Sequence, residues 1–126
     1  MTVYRMKTIL VVDDDAMNLK MAEFILKQEG YNVVTRESGM ACLDYLKVDR
    51  PDLILLDVEM PVMTGIQTLE VIRGNEEFKN LPVMFLTASA DTDTVVEAGR
   101  LGVAEYVKKP FMPQELTDRV KKVLRF

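Results

Sequence analysis

The chain has no histidine, no tryptophan, a single cysteine (Cys42) and no apolar run long enough to cross a bilayer. Each absence removes a class of function. Without histidine there is no Ser–His–Asp or Cys–His triad, no imidazole metal site and no ordinary general base near neutral pH. Such a chain also cannot carry a phosphohistidine of its own. One cysteine makes neither an intrachain disulfide nor a thiolate zinc site. A transmembrane helix needs about 18 or more consecutive apolar residues, and the first eight residues lack the apolar core of a secretory signal. The expectation is a soluble cytoplasmic protein with no membrane association. There is no long basic run, and 20 acidic against 16 basic side chains leave a net charge of −4. That balance offers no footprint for nucleic acid. The phosphate loop G-x-x-x-x-G-K-[ST] is missing as well, which excludes the common NTPases.

What remains is a length of 126 residues, suited to one domain, with chemistry confined to carboxylates, hydroxyls, lysines and an oxygen-loving cation. Strand-like and helix-like stretches alternate along it. Thr8–Val12 is a short apolar run that stops at three aspartates. From Ala16 the period is helical, with Met17, Met21, Phe24, Ile25 and Gln28 on one side and Gly30 as the stop. Tyr31–Arg36 reads as a second strand. Ser38 caps a helix carrying Met40, Leu43 and Leu46. Leu53–Leu56 is a continuous apolar strand ending at Asp57. A loop with Pro61 and Gly65 precedes a helix with Ile66, Leu69 and Ile72. Leu81–Leu86 forms a fourth strand ending at Thr87. Asp91 caps a helix with Val95, Val96 and Ala98, and Glu105–Lys108 is a short fifth strand. Pro113 opens a last helix whose stripe is Leu116, Val120, Val123 and Leu124.

A β–α unit repeated five times, with strands apolar almost throughout, calls for an α/β fold: an open, doubly wound parallel five-stranded sheet covered on both faces. Ligands of such sheets bind beyond the carboxyl ends of the strands. Those ends carry Asp13, Asp14 and Asp15 on strand 1, Asp57 on strand 3, Thr87 on strand 4 and Lys108-Lys109-Pro110 on strand 5. Carboxylates converging on one edge repel unless a cation sits among them or some take up protons. A hard divalent ion such as Mg²⁺ answers that, using one or two carboxylates together with phosphate oxygens. A threonine hydroxyl and a lysine ammonium then donate to an anion beside it. The edge is suited to holding a phosphoryl group.

Taken together and in order, Asp13-Asp14, Leu53-Ile-Leu-Leu-Asp57-Val-Glu-Met-Pro61 with Gly65, Phe85-Leu-Thr87-Ala88 and Tyr106-Val-Lys-Lys109-Pro110-Phe111 resemble the receiver domains of two-component response regulators. The resemblance runs from Ile9 to about Phe126. It implies the flavodoxin-like receiver fold with strand order 2-1-3-4-5. It implies Asp57 as phosphoacceptor from the phosphohistidine of a histidine kinase or histidine phosphotransfer protein. It further implies Mg²⁺ (with Mn²⁺ as a substitute) held by Asp13, Asp14, Asp57 and the backbone carbonyl of Glu59. Thr87, the Ala88 backbone and Lys109 would bind the phosphoryl group, with Thr87 and Tyr106 as the switch pair and Lys109–Pro110 as a cis peptide. Glu59 and Ser89 fall at positions that modulate dephosphorylation, and Glu59 is expected to perturb the metal and the hydrolytic water. Asp57, ionised at neutral pH, would need no general base. The output would be a protein target read through the surface of helix 4, strand 5 and helix 5, from a monomer or weak dimer that catalyses its own phosphorylation.

Residues 1–126 read as a single receiver domain with no output domain. Two rivals compete. A haloacid-dehalogenase-type phosphatase would use Asp13 as nucleophile and Asp15 as acid/base, but Met17 stands where that family has Thr or Val, and Asp57 is left without a role. A phosphorylation-independent receiver-like adaptor would have no need of the intact acidic and Thr/Lys set. Cys42 and most of the methionines read as packing. The basic side of the last helix (Arg119, Lys121, Lys122, Arg125) reads as a solvated face or part of a partner surface.

Overall fold

Five parallel strands alternate with five helices among the described residues, which in this computed structural model are 5–88 and 91–125. In chain order the elements are β1 (Thr8–Val12), α1 (Ala16–Gln28), β2 (Asn32–Arg36), α2 (Gly39–Leu46), β3 (Leu53–Asp57), α3 (Gly65–Arg73), β4 (Val83–Thr87), α4 (Thr92–Arg100), β5 (Glu105–Lys108) and α5 (Pro113–Leu124). The strands pair in the order β2-β1-β3-β4-β5, the flavodoxin-like receiver order. β3 is therefore the central strand, and all five of its residues are buried.

Alternation of side chains along each strand divides the core in two. Ile9, Val11, Leu53, Leu55, Met84 and Leu86 point to one face, where α1 and α5 cover them with Leu19, Ala22, Leu26, Leu116 and Val120. Leu10, Val12, Ile54, Leu56, Val83 and Phe85 point to the other, against Cys42, Leu69, Ile72 and Ala98 from α2, α3 and α4. Helix starts are secured by side chains. Asp15 accepts from the Met17 N–H, Ser38 from Ala41 and Asp91 from Thr94, while Thr64 and Gln67 form a reciprocal capping box at α3. Such a cap contributes about 1 kcal/mol. Pro113 opens α5, and Gly30 leaves α1 at φ +92°.

Three helices turn differently from their sequence pattern. α1 buries Leu19, Ala22 and Leu26, whereas Met17, Met21 and Phe24 are exposed. The spacing of 19, 22 and 26 is equally helical, and the small Ala22 lets the helix lie close on the sheet. The larger apolar residues are left outside. In α2, Met40 is exposed while Cys42, Tyr45 and Leu46 face inward, and in α4 only Ala98 is buried. β4 starts at Val83 rather than Leu81, because Pro82 has no N–H to give the ladder. A 3₁₀ turn at Glu76–Phe78, started by Asn75 accepting from Glu77, was not foreshadowed by periodicity. Three of the four residues on the basic side of the last helix are paired: Arg119 and Lys122 with Glu105, Lys121 with Glu29.

Candidate functional site

Val12 lies beside Leu56 in the β1–β3 register, so the next residue on each strand emerges at the same edge: Asp13 and Asp57. Thr87 ends the neighbouring strand β4 opposite Lys108, and the Lys109 N–H donates to the Thr87 carbonyl at 2.7 Å. The sheet thus delivers two carboxylates, a hydroxyl and an ammonium to one place. Asp13, Asp57 and Thr87 are buried, and Asp14 is exposed beside them. One carboxylate oxygen from each of Asp13, Asp14 and Asp57 falls within 4.8 Å of the others. Gly65 permits this closeness. Its N–H donates to the Val58 carbonyl at 2.9 Å, and a Cβ there would stand 2.2 Å from the Asp57 carbonyl oxygen. Only glycine lets α3 begin against the end of β3.

The polar contacts are specific. Lys109 Nζ lies 2.8 Å from Asp13 Oδ2 and 3.1 Å from Asp57 Oδ1. The Asp15 N–H donates to Asp13 Oδ1 at 2.9 Å, and the Glu59 N–H to Asp57 Oδ1 at 3.2 Å. Asp57 Oδ2 is buried and has no hydrogen-bond partner among the described residues. Two buried carboxylates here share one ammonium. Burial, and then the charge of Asp13, push the Asp57 carboxyl up to about 7, against the opposing pull of Lys109. Burial disfavours the Lys109 charge, yet its hydrogen bonds to Asp13 and Asp57 outweigh that and hold its pKa above the ordinary lysine value.

Burial and the neighbouring Asp13 thus work against the ionised Asp57 expected from sequence in the bare pocket. A cation is what would restore it. The donor set fits one: all ligands are hard oxygens, one is a buried oxygen without a partner, and the uncompensated charge is negative.

Asp13, Asp14, Asp57 and Lys109 are brought together as their positions in the sequence implied. Lys109–Pro110 is cis. Tyr106, on β5 beside Phe85, is 38% exposed and directed outward. Ser89 lies outside the described residues. The Glu59 side chain departs from expectation. It does not join the carboxylate cluster but turns to the end of β4, where Oε2 accepts from Thr87 Oγ1 at 2.9 Å and Oε1 from the Ala88 N–H at 2.7 Å. No sequence signal marks that contact, because it depends on the path of the chain after β3. Asp15 is committed to the N-cap of α1. Cys42 is buried, its thiol pushed up to about 12 by burial, and so chemically inert.

Comparison with known proteins agrees with this arrangement. The family described as the response regulator receiver domain matches residues 9–121. The chain is 40% identical over 117 residues to the DNA-binding response regulator MtrA of Mycobacterium tuberculosis, covering 93% of this chain and 50% of that protein. It thus spans about half the length of that relative. It is 36% identical over 116 residues to the chemotaxis protein CheY of Pseudomonas aeruginosa, covering 91% of this chain and 94% of that one. Among solved structures, Vibrio cholerae CheY4 superposes with a TM-score of 0.90 at 31% identity, covering 94% of this chain and 99% of its own. With the family matched across both the acidic edge and the Thr/Lys edge, the chain belongs to the response regulator receiver domains of two-component signalling.

Proposed function

We propose that this receiver takes a phosphoryl group onto Asp57 from the phosphohistidine of a histidine kinase or phosphotransfer protein, and passes the change to a protein partner. The observation that carries the reading is Asp57 Oδ2, a buried carboxylate oxygen left without a hydrogen-bond partner, while Oδ1 of the same group is held by Lys109 and the Glu59 N–H. One oxygen is fixed and the other is available. Asp13, Asp14, Asp57 and the Glu59 carbonyl would hold Mg²⁺, which when bound neutralises charge on the phosphoryl oxygens.

The remaining work falls to side chains. Asp57 Oδ2 forms a bond to phosphorus as the phosphorus–nitrogen bond to the donor imidazole breaks, and the electron pair leaves with the imidazole. Lys109, already between Asp13 and Asp57, donates to an equatorial oxygen; Thr87 and the Ala88 N–H take the others. The added charge of about −1.5 to −2 then draws Thr87 toward the group. Tyr106 turns into the space released, and the surface of α4, β5 and α5 changes. The exposed Met17, Met21 and Phe24 form an apolar stripe that starts near the carboxyl edge and runs down α1, with Met21 and Phe24 lining a groove shared with Pro113 and Gln114 of α5, and give the donor protein an apolar seat.

Asp13 is less suited to be the nucleophile of a phosphatase: its Oδ1 accepts from the Asp15 N–H, and its Oδ2, although without an aligned hydrogen bond, is ion-paired with Lys109 at 2.8 Å, whereas Asp57 Oδ2 has neither among the described residues. Treatment with Mg²⁺ and acetyl phosphate, followed by peptide mass spectrometry after borohydride trapping, is expected to find the label on Asp57 and none in Asp57→Asn. Label on Asp13 would establish the phosphatase reading, and partner binding unaltered by phosphorylation the adaptor.

A further inference from the structure

We propose that the Glu59 carboxylate is an internal competitor for the phosphoryl-binding donors, occupying the Thr87 hydroxyl and the Ala88 N–H until phosphorylation displaces it. The inference rests on the reading of Asp57 as phosphoacceptor and extends it to how the resting site is held.

The geometry is that of an anion already in place. Two oxygens on a single carbon accept from two different donors, Oε2 from Thr87 Oγ1 at 2.9 Å and Oε1 from the Ala88 N–H at 2.7 Å. Those are the donors left for the phosphoryl oxygens once Lys109 is assigned to Asp57 and Asp13. Hydrogen bonds to an ionised acceptor are shorter and about twice as strong as neutral ones. The incoming group therefore gains only the surplus of its own bonds over those it replaces, and a ligand shifts a conformational equilibrium only by such a difference. Both anions cannot use the two donors together. Moreover, Glu59 is tethered two residues from Asp57, and its own N–H donates to Asp57 Oδ1. A phosphoryl group on Asp57 places roughly −1.5 to −2 charge within reach of that carboxylate. Since Glu59 is exposed, its side chain has solvent to swing into.

Glu59 is thus a positioning residue that lowers the affinity of the site for the phosphorylated state without taking part in bond formation. Shortening it removes the competitor and favours the phosphorylated form. Glutamine has the same length but presents only one oxygen and no charge, so it falls between. The direction follows from the contact, whereas composition alone left it open.

The test uses the ¹⁵N-labelled chain as wild type, Glu59→Ala, Glu59→Gln and Asp57→Asn, followed by NMR. In the ligand-free proteins, loss of the carboxylate is expected to move the Ala88 amide proton upfield and speed its exchange, with signals distant from the β3–α3 loop unchanged. At saturating Mg²⁺, with Mg²⁺ affinity measured separately, beryllofluoride is expected to bind Glu59→Ala about tenfold or more tightly than wild type, with Glu59→Gln between. An Ala88 amide unmoved in ligand-free Glu59→Ala overturns the proposal, since a long-range charge effect alone would leave it so. Equal or weaker beryllofluoride binding by Glu59→Ala overturns it too. If wild type and Asp57→Asn respond alike to beryllofluoride, the phosphoacceptor reading itself fails and this proposal falls with it; a response confined to wild type, with no gain on removing Glu59, sinks the proposal alone.

Discussion

At the residue scale the decisive fact is an imbalance of charge around Asp57. One ammonium serves two buried carboxylates, and burial together with Asp13 lifts Asp57 from 3.8 to about 7. Between those values the folded protein keeps a proton that the unfolded chain has released, so the native state binds more protons. Stability without metal is then expected to fall as pH rises through that window, by roughly 2–4 kcal/mol, and to level off above it. Urea denaturation of metal-free protein at several pH values measures this; Asp57→Asn should flatten the slope and be the more stable protein near pH 7. A slope that survives in Asp57→Asn would place the titration elsewhere. Asp13, Asp14, Asp57 and Thr87 stand at or just after the ends of apolar strands, a position the β–α alternation exposes; Thr87 and Lys109, the latter behind the largely polar β5, stood out only through the resemblance of the motifs taken together. The Glu59 contact was not legible in the sequence, since it is made by a loop whose course no periodicity encodes. The elevated Asp57 carboxyl was equally hidden: residue types announce a charge, but only packing announces its burial.

At the element scale, strands were read more securely than helix faces. A strand buried on both sides shows as an unbroken apolar run, as Leu53–Leu56 does, and no choice of face arises. A helix such as α1 carries two apolar sides, and size misleads: Phe24 stays outside while Ala22 is buried. What fixes the helices on the side of α3 and α4 includes a residue of no apparent consequence in the sequence, Arg73. Its Nε donates to the Leu101 carbonyl at 2.8 Å, and its Nη1 to those of Leu81 at 2.7 Å and Phe78 at 3.1 Å. The end of α3 is thereby tied to the turn before β4 and to the end of α4. Hydrogen bonds from a charged donor contribute about 1.5–3 kcal/mol, and part-buried carbonyls left without partners add to the loss. Arg73→Ala is expected to lower stability by about 2–4 kcal/mol, read as a drop in urea midpoint, with Mg²⁺ affinity unchanged because the tie joins the C-terminal ends of α3 and α4 to the turn before β4, whereas the acidic residues stand at the carboxyl ends of β1 and β3. Loss of Mg²⁺ binding in a folded Arg73→Ala protein would show that the tie reaches the site.

For the whole molecule, all proposed chemistry sits on one edge of the sheet, and the exposed apolar residues of α1 form a stripe that leads away from that edge. A donor protein covering them would contribute affinity that a small phosphodonor cannot. Met21→Ala with Phe24→Ala is expected to slow phosphotransfer from a phosphohistidine protein by about tenfold or more, since large apolar anchors dominate such interfaces, while phosphorylation by acetyl phosphate stays as in wild type. Equal slowing of both would mean the pair acts through the fold. Attachment to the core is unequal across the sheet. Asp57 ends the central strand, every residue of which is buried, whereas β5 at the edge buries only Val107 and α4 only Ala98. A perturbation delivered to the middle of such a body is not shared evenly. On the proposed phosphorylation of Asp57 it would be borne where the restoring forces are weakest, on a compliant flank beside a rigid anvil, and the partner proposed to read the change would press on that flank.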